Sequence, residues 1–231
     1  MTVSRPRALI GLGGAAALFL SACSGSDDAS ERTPTQVLAE AKQNLDATPG
    51  VHVVLSTEKL PEGVDGILST DGIGTHPPAF EGDLKVSVQG ITSDAAVVAV
   101  DDVVYAKLPF TTQFVPVNPE DYGAPDPADL LAEEGGLSSL LSEAEDVEAG
   151  GEIRNNKSVV TEYTGTVPGD AVATIIPSAA ADSDFDATFT ITEEDVLDEA
   201  VISGPFYPDA GDVSYTITFD DYGTDKQITA P

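Results

Sequence analysis

Apolar residues recur at two different spacings along this chain, and the points where the spacing changes mark its elements. In residues 33–48 the spacing is helical, with Val37, Leu38, Ala41 and Leu45 on one face. Thr33-Pro34-Thr35-Gln36 supplies the start: Thr33 caps, Pro34 suits the first helical position, and Gln36 returns the bond. Pro49-Gly50 stops the helix. From Val51 the spacing becomes two. Val51, Val53 and Leu55 alternate with more polar neighbours, and a second strand runs through Ile67 and Ile73 to His76-Pro77-Pro78. A third strand sets Phe80, Leu84, Val86 and Val88 against Glu81, Asp83, Lys85, Ser87 and Gln89. Residues 95–100 and 103–108 form a hairpin about Asp101-Asp102.

The middle of the chain breaks this rhythm. Residues 109–125 read as a proline-containing loop. Asp126-Pro127 then caps a helix carrying Leu130 and Leu131, which Gly135-Gly136 ends. A second helix holds Leu137, Leu140, Leu141 and Ala144 at helical spacing. Strands resume at 152–155 and 158–167 around an Asn-Asn-Lys turn, and Pro168 opens a short helix with Val172, Ile175 and Ile176. Residues 185–191, 196–202 and 213–219 alternate again, with a turn at Pro208-Asp209-Ala210-Gly211. The predicted class is α+β: a large antiparallel sheet with one polar, wet face and one face against a few short helices. Such a sheet, covered by few and mainly aliphatic helices, either packs into a dry core or leaves an apolar hollow suited to hydrocarbon. Periodicity does not separate the two, and by itself it favours the packed core.

The N-terminus decides where the protein works. Arg5 and Arg7 precede an apolar run, Ala8 to Phe19, and Leu20-Ser21-Ala22-Cys23 follows. Basic start, short apolar core and small residues before a cut make a secretory signal, and the run is too short for a membrane span of roughly 20 residues. A cysteine immediately after Leu-Ser-Ala makes it a bacterial lipoprotein signal. The Cys23 thiol takes a diacylglycerol as a thioether, and cleavage leaves it as the lipidated N-terminus. The expected organisation is residues 1–22 as signal, 23–32 as flexible tether, and 33–231 as one domain. The protein is then held by its lipid on the extracytoplasmic, periplasmic face of the cell membrane.

Cys23 is the only cysteine, so once acylated it leaves no thiol for a disulfide or a metal site. Loss of Arg5 and Arg7 with the signal leaves 8 basic residues (10 less 2) against 40 acidic ones, a formal charge of −32. That surface repels nucleic acid and anionic headgroups alike. The charge does not signal disorder, because 41% of residues are apolar and periodically placed.

Catalytic chemistry has little to stand on. No Gly-x-Ser-x-Gly occurs, Ser138-Ser139 sits in a leucine-rich helix, and His52 and His76 fall in a strand and a turn. Asp182-Ser183-Asp184-Phe185-Asp186 with Glu193 mimics the ligand spacing of a calcium loop. Its sixth position is Ala187 where that loop needs glycine, however, and the segment alternates as a strand. We therefore expect no enzyme activity, no metal and no cofactor.

Several short stretches, in order from the lipid signal to the end, resemble one family. They are Gly82-Asp83-Leu84-Lys85-Val86, Val103-Val104-Tyr105-Ala106, and Asp126-Pro127 followed by Leu130-Leu131. Gly136-Leu137, Leu140-Leu141, Tyr222-Gly223 and Lys226-Gln227-Ile228 follow. From about Thr33 onward the chain looks like the mycobacterial LppX/LprA/LprF/LprG lipoproteins, nearest the LprG branch. It departs in having Gln113-Phe114 where the family carries tryptophan, and in its acidity. The resemblance implies a large curved antiparallel sheet, a half-barrel, with short helices on its concave face enclosing an apolar cavity for acyl chains. It also implies carriage of triacylated lipids or glycolipids through an actinobacterial envelope, of the lipoarabinomannan, phosphatidylinositol mannoside or triacylglycerol type. A major facilitator exporter is the implied partner. With the apolar stripe, it assigns Val53, Leu55, Leu84, Val86 and Val88 to the sheet wall, with Leu84 at the entrance. Leu130, Leu137, Leu140, Leu141, Ile175 and Ile176 take the helical side. The competing class is a structural or sensor envelope lipoprotein whose layers fill each other.

Overall fold

Two meanders of antiparallel strands join edge to edge, and the join is what makes the sheet large. The computed structural model describes residues 32–231 apart from 110, 123, 156, 157, 208 and 209. The lipid signal, Cys23, most of the tether and two of the expected turns (at 155–157 and 208–211, in part) therefore lie outside the described residues. The first meander is β1 (Gly50–Ser56), β2 (Gly66–Thr75), β3 (Ala79–Val88), β4 (Ile91–Val100), β5 (Val103–Lys107) and β6 (Val115–Val117). The second is β7 (Glu145–Asn155), β8 (Ser158–Pro168), β9 (Asp184–Thr192), β10 (Leu197–Gly204) and β11 (Val213–Asp220). The spatial order is β6-β5-β4-β3-β2-β1-β11-β10-β9-β8-β7, so the first and last strands close the gap between the two halves. The result is an eleven-stranded, curved, open antiparallel sheet with a few short helices.

Helix α1 (Pro34–Ala47) starts as its sequence requires. The Thr33 side chain accepts from the Gln36 backbone while the Gln36 side chain accepts from the Thr33 N–H, a capping box with proline at the first turn. Val37, Leu38, Ala41 and Leu45 are its buried residues. Helices α2 (Ser139–Glu143) and α3 (Gly169–Ile175) are one to two turns long, and with α1 they cover the inner face of the sheet. The main core lies between these layers, around Phe185, Phe189, Phe206, Leu38, Leu45 and Leu141.

Four sequence expectations change. Asp126-Pro127 does not cap a helix: the Asp126 carboxylate accepts from Ala128 N–H at 2.9 Å in a local turn, and only a 3-10 turn, Asp129–Leu131, follows. Strand β4 begins at Ile91, four residues before the expected start, because Gln89 and Gly90 both take positive φ and form the hairpin turn there. Strand β7 begins at Glu145 instead of 152, through an acidic Gly-Gly stretch with two register shifts against β8. Those shifts, with the short β6 at the other edge, blunt both edges of the sheet.

The outer face is also not wholly polar. Residues 95–100 of β4 are alanine and valine on both faces, so Ala79 and Val98 pack on the outside against Ile228 of the C-terminal segment. Tyr105 and Phe114 border that patch, and Lys226 pairs with Glu81 at 3.2 Å beside it. Arg32, the last residue of the expected tether, pairs with Asp195. Strand β9 runs through the calcium-like segment, with Phe185, Ala187, Phe189 and Ile191 turned into the core. Among the described residues no cluster of three or more His, Cys, Asp or Glu is placed to hold a metal ion.

Candidate lipid-binding site

One row of the sheet register builds the wall of a hollow. Leu84 pairs with Thr70, Thr70 with Leu55, Leu55 with Ile217, and Ile217 with Ala200, all on the inner face. Paired positions point the same way across an antiparallel sheet, so along this row β3, β2, β1 and β11 present a continuous inner surface in which only Thr70 is polar. Opposite it stand Leu130, Leu137 and Leu140, with Val172, Ile175 and Ile176 on or just beyond α3. Pro125 and Pro127 border the same space, and Ile67, Ile202, Phe206, Tyr207 and Tyr215 close one end.

That end is rigid. Phe206 meets Phe185 and Tyr215 edge-on, each pair at 4.9 Å between ring centres. The Tyr215 hydroxyl donates to the Ile67 carbonyl at 3.0 Å. Its single proton is then committed, so in the 2.9 Å contact with Tyr207 it is Tyr207 that donates. Burial pushes both phenols above their ordinary pKa, Tyr215 far above, so both stay neutral at any physiological pH. The hollow therefore has a neutral, hydrogen-bonded floor and apolar walls.

The space beneath the helices holds about 50 Å³ of water-accessible volume. Leu84, Pro125 and Pro127 also border a second apolar space of about 260 Å³, a groove along β3, β4 and β5. Val86, Val88, Ala95, Val97, Val104 and Ala106 line its sheet side, and Pro119 and Ala124 its other side. Leu84 thus belongs to the wall of both spaces.

The structure gathers most of the residues that the sequence assigns to the site. Leu55, Leu84, Leu130, Leu137, Leu140, Ile175 and Ile176 line the hollow, and Leu84, Val86 and Val88 line the groove. Val53 and Leu141 line neither. Both are 2% exposed in the core, where Val53 pairs with Phe219 a register step from the Leu55 row. Cys23 lies outside the described residues. Sequence reading missed Ile217 and Tyr215 because their place depends on the β1–β11 pairing, and Phe206 and Tyr207 because their loop has no periodicity.

The roof over both spaces is bonded to itself. Among the described residues, the backbone hydrogen bonds of 119–141 outside its helices close within 118–141, for example Leu137 N–H to Leu130 O and Ala124 N–H to Pro119 O. Lys42 reaches in from α1, donating to the Glu133 carbonyl at 3.0 Å and to Ser138 Oγ at 3.4 Å.

Residues 33–230 match the family model described as LppX_LprAFG lipoprotein. The chain belongs to that family. The lipoarabinomannan carrier protein LprG of Mycobacterium tuberculosis is 27% identical over 199 residues, covering 84% of this chain and 80% of that one. Its Mycobacterium bovis counterpart matches equally. Among solved structures, LprF from Mycobacterium bovis superposes with a TM-score of 0.66 at 19% identity, covering 86% of this chain and 96% of that one. The Mycobacterium tuberculosis lipoprotein LppX gives 0.62 at 20% identity over 85% and 98%. The curved sheet with its short helices is therefore the LppX_LprAFG fold.

Proposed function

We propose that this protein is a carrier of multi-chain acylated lipids or glycolipids, anchored through Cys23 on the extracytoplasmic face of an actinobacterial membrane. The observation that carries the reading is the apolar hollow between sheet and helices, with a second apolar groove on β3–β5 that shares Leu84, Pro125 and Pro127 with it. The family and the name of its relative LprG support the same ligand class. Each methylene kept from water is worth about 0.8 kcal/mol, so a long acyl chain exposed in transit costs on the order of 10 kcal/mol. Bilayer and hollow are similarly apolar, and transfer between them is nearly balanced once the chains are covered. The carrier then lowers the barrier across the aqueous gap without an energy source of its own, and an exporter of the major facilitator type or the lipid's destination sets the direction. No side chain here is asked to do covalent chemistry.

Native mass spectrometry of the exported protein, purified from an actinobacterial host, tests the reading. Bound lipid with two or more chains supports it. A protein that is consistently empty overturns it, in favour of an envelope lipoprotein with a structural or sensing role.

A further inference from the structure

The exposed apolar side chains of this protein gather at one end of one half of the sheet. Among the described residues four large ones are exposed. Three of them are Ile91 of β4 at 71%, Val115 of β6 at 41% and Leu108, just after β5, at 37%. Register puts them on the groove face. Ile91 pairs with Val88 and Val115 with Ala106, both partners line the groove, and Leu108 lines it directly. The row Leu84, Val86, Val88 therefore runs from the shared wall of the two apolar spaces out to a hairpin tip that carries Ile91.

Charge singles out the same place. The chain has 40 acidic residues in 231, yet 86–93 and 106–117 contain none, and Lys107 is their single charge. Asp94 follows the tip on the other face, where it pairs with Lys85 at 3.8 Å. Asp65 reaches the turn from the β1–β2 loop and is committed there, accepting from Gln89 N–H at 2.6 Å. No charged residue lines the groove among the described residues. We propose that this end of β3–β6 docks on a lipid bilayer, with Ile91 and Leu108 entering the interface and the mouth of the groove facing the hydrocarbon. That docking serves loading rests on the carrier reading; the surface is argued from its own residues. A bilayer is the occupant the geometry fits. An acidic body is repelled by anionic headgroups wherever it presents carboxylates, and these two segments present none. A stable protein partner needs about 800 Å² a side, whereas single apolar side chains standing off a hairpin tip enter a fluid interface as they are.

The chain has no tryptophan, so Ile91→Trp, at an exposed position outside the core, gives it a single indole on the tip. Glu194→Trp is the control, since the β9–β10 turn lies beyond the Gly50 end of β1 and the tip beyond its Ser56 end. Each exported protein is added to preformed phosphatidylcholine vesicles that carry a doxyl-labelled phosphatidylcholine. The indole at 91 should shift to the blue and be quenched, and the one at 194 should do neither. Burying a leucine from water is worth at least about tenfold in an equilibrium, so adding Leu108→Asp to Ile91→Trp should lower the docked-to-free ratio by at least that factor. An unquenched indole at 91 overturns the docking surface, and so does quenching that Leu108→Asp leaves unchanged. A blue shift that needs no vesicles and grows with protein concentration also overturns it, in favour of a second copy of this chain on the tip. Native mass spectrometry of the wild type keeps the two readings apart. Bound lipid with an undocked tip refutes the docking alone, and a lipid-free protein with a docked tip refutes the carriage alone.

Discussion

Leu84→Trp separates a lipid site from a merely imperfect core, because the two make opposite claims about what the indole displaces. Leu84 is only partly buried and borders both the hollow and the groove, so a larger side chain has room to turn inward. An indole burying about 200 Å² gains about 5 kcal/mol at 25 cal/mol per Å², against about 2 kcal/mol for leucine. Overpacking against Thr70 and Pro127 returns about 1–3 kcal/mol. The folded protein should therefore keep its stability to within about 2 kcal/mol, read from urea unfolding. The guest fares differently. An indole in its path displaces about four methylenes, worth about 3 kcal/mol at 0.8 each, and affinity falls on the order of a hundredfold. Leu141→Met is the control. Leu141 lies in the core and not on the hollow, so a volume-conserving change costs less than about 1.5 kcal/mol and should leave bound lipid untouched. The assay is native mass spectrometry of each protein exported from the same host. A stable Leu84→Trp protein carrying the wild-type amount of the wild-type lipid would refute the placement of the tail path.

Three further outcomes follow from geometry outside the hollow. His52 on the outer face is bracketed by Asp220 at 2.7 Å on Nδ1 and Asp71 at 2.9 Å on Nε2, and the hydrogen bond to Asp71 leads in raising its pKa. A raised native value means the stabilisation is complete below the unfolded pKa of about 6.5 and fades as pH rises through the native one. His52→Asn should then cost about 0.5–1 kcal/mol at pH 5.5, discounted for exposure, and close to nothing at pH 9; an equal cost at both would reject the charged bracket. Gly72 and Gly82 face each other across β2 and β3 under the Phe80 ring, and a Cβ on Gly72 would sit 2.5 Å from that ring. Gly72→Val should destabilise by more than about 2 kcal/mol, and an unchanged urea midpoint would show that the ring moves aside freely. Thr33→Ala removes the capping box of α1 and should cost about 1 kcal/mol, checked by the same unfolding curve.

What the sequence made legible is what repeats. Alternation placed Phe80, Leu84, Val86 and Val88 on one face and Phe185, Ala187, Phe189 and Ile191 on another, and the structure keeps both sets together. The capping residues of α1 were readable because a box is a local signal. Pairing order was not, because nothing local in β1 names β11 as its neighbour; the contact spans nearly the whole domain. That single fact decides that Ile217 stands beside Leu55 in the wall. The roof was misread for a related reason. The break expected at Gly135-Gly136 stands, with Gly135 at positive φ, but the element before it is only the 3-10 turn Asp129–Leu131, since Asp126 accepts from Ala128 N–H, and the helix after it runs for only five residues. Helical spacing marked the correct buried face without guaranteeing a helix.

The short roof elements bear on how a carrier of this design loads. The hollow holds about 50 Å³, room for a few waters at about 10–15 Å³ each and not for a long chain. On the carrier reading, loading would part the roof from the sheet, and the bonding decides which contacts yield. The strands are locked to one another by continuous ladders. Among the described residues, the backbone hydrogen bonds of 119–141 outside its helices stay within 118–141 apart from the one Lys42 makes to the Glu133 carbonyl, and the segment meets the hollow and groove through leucine and proline side chains. Lifting such a segment breaks no sheet hydrogen bond. It exposes apolar surface, and an incoming acyl chain covers the same surface again at about 0.8 kcal/mol per methylene. The exchange is therefore nearly neutral when a lipid replaces the roof contacts and costly when water does. On the carrier reading proposed above, a roof built this way would open where a membrane or a partner offers hydrocarbon and stay shut in the aqueous gap.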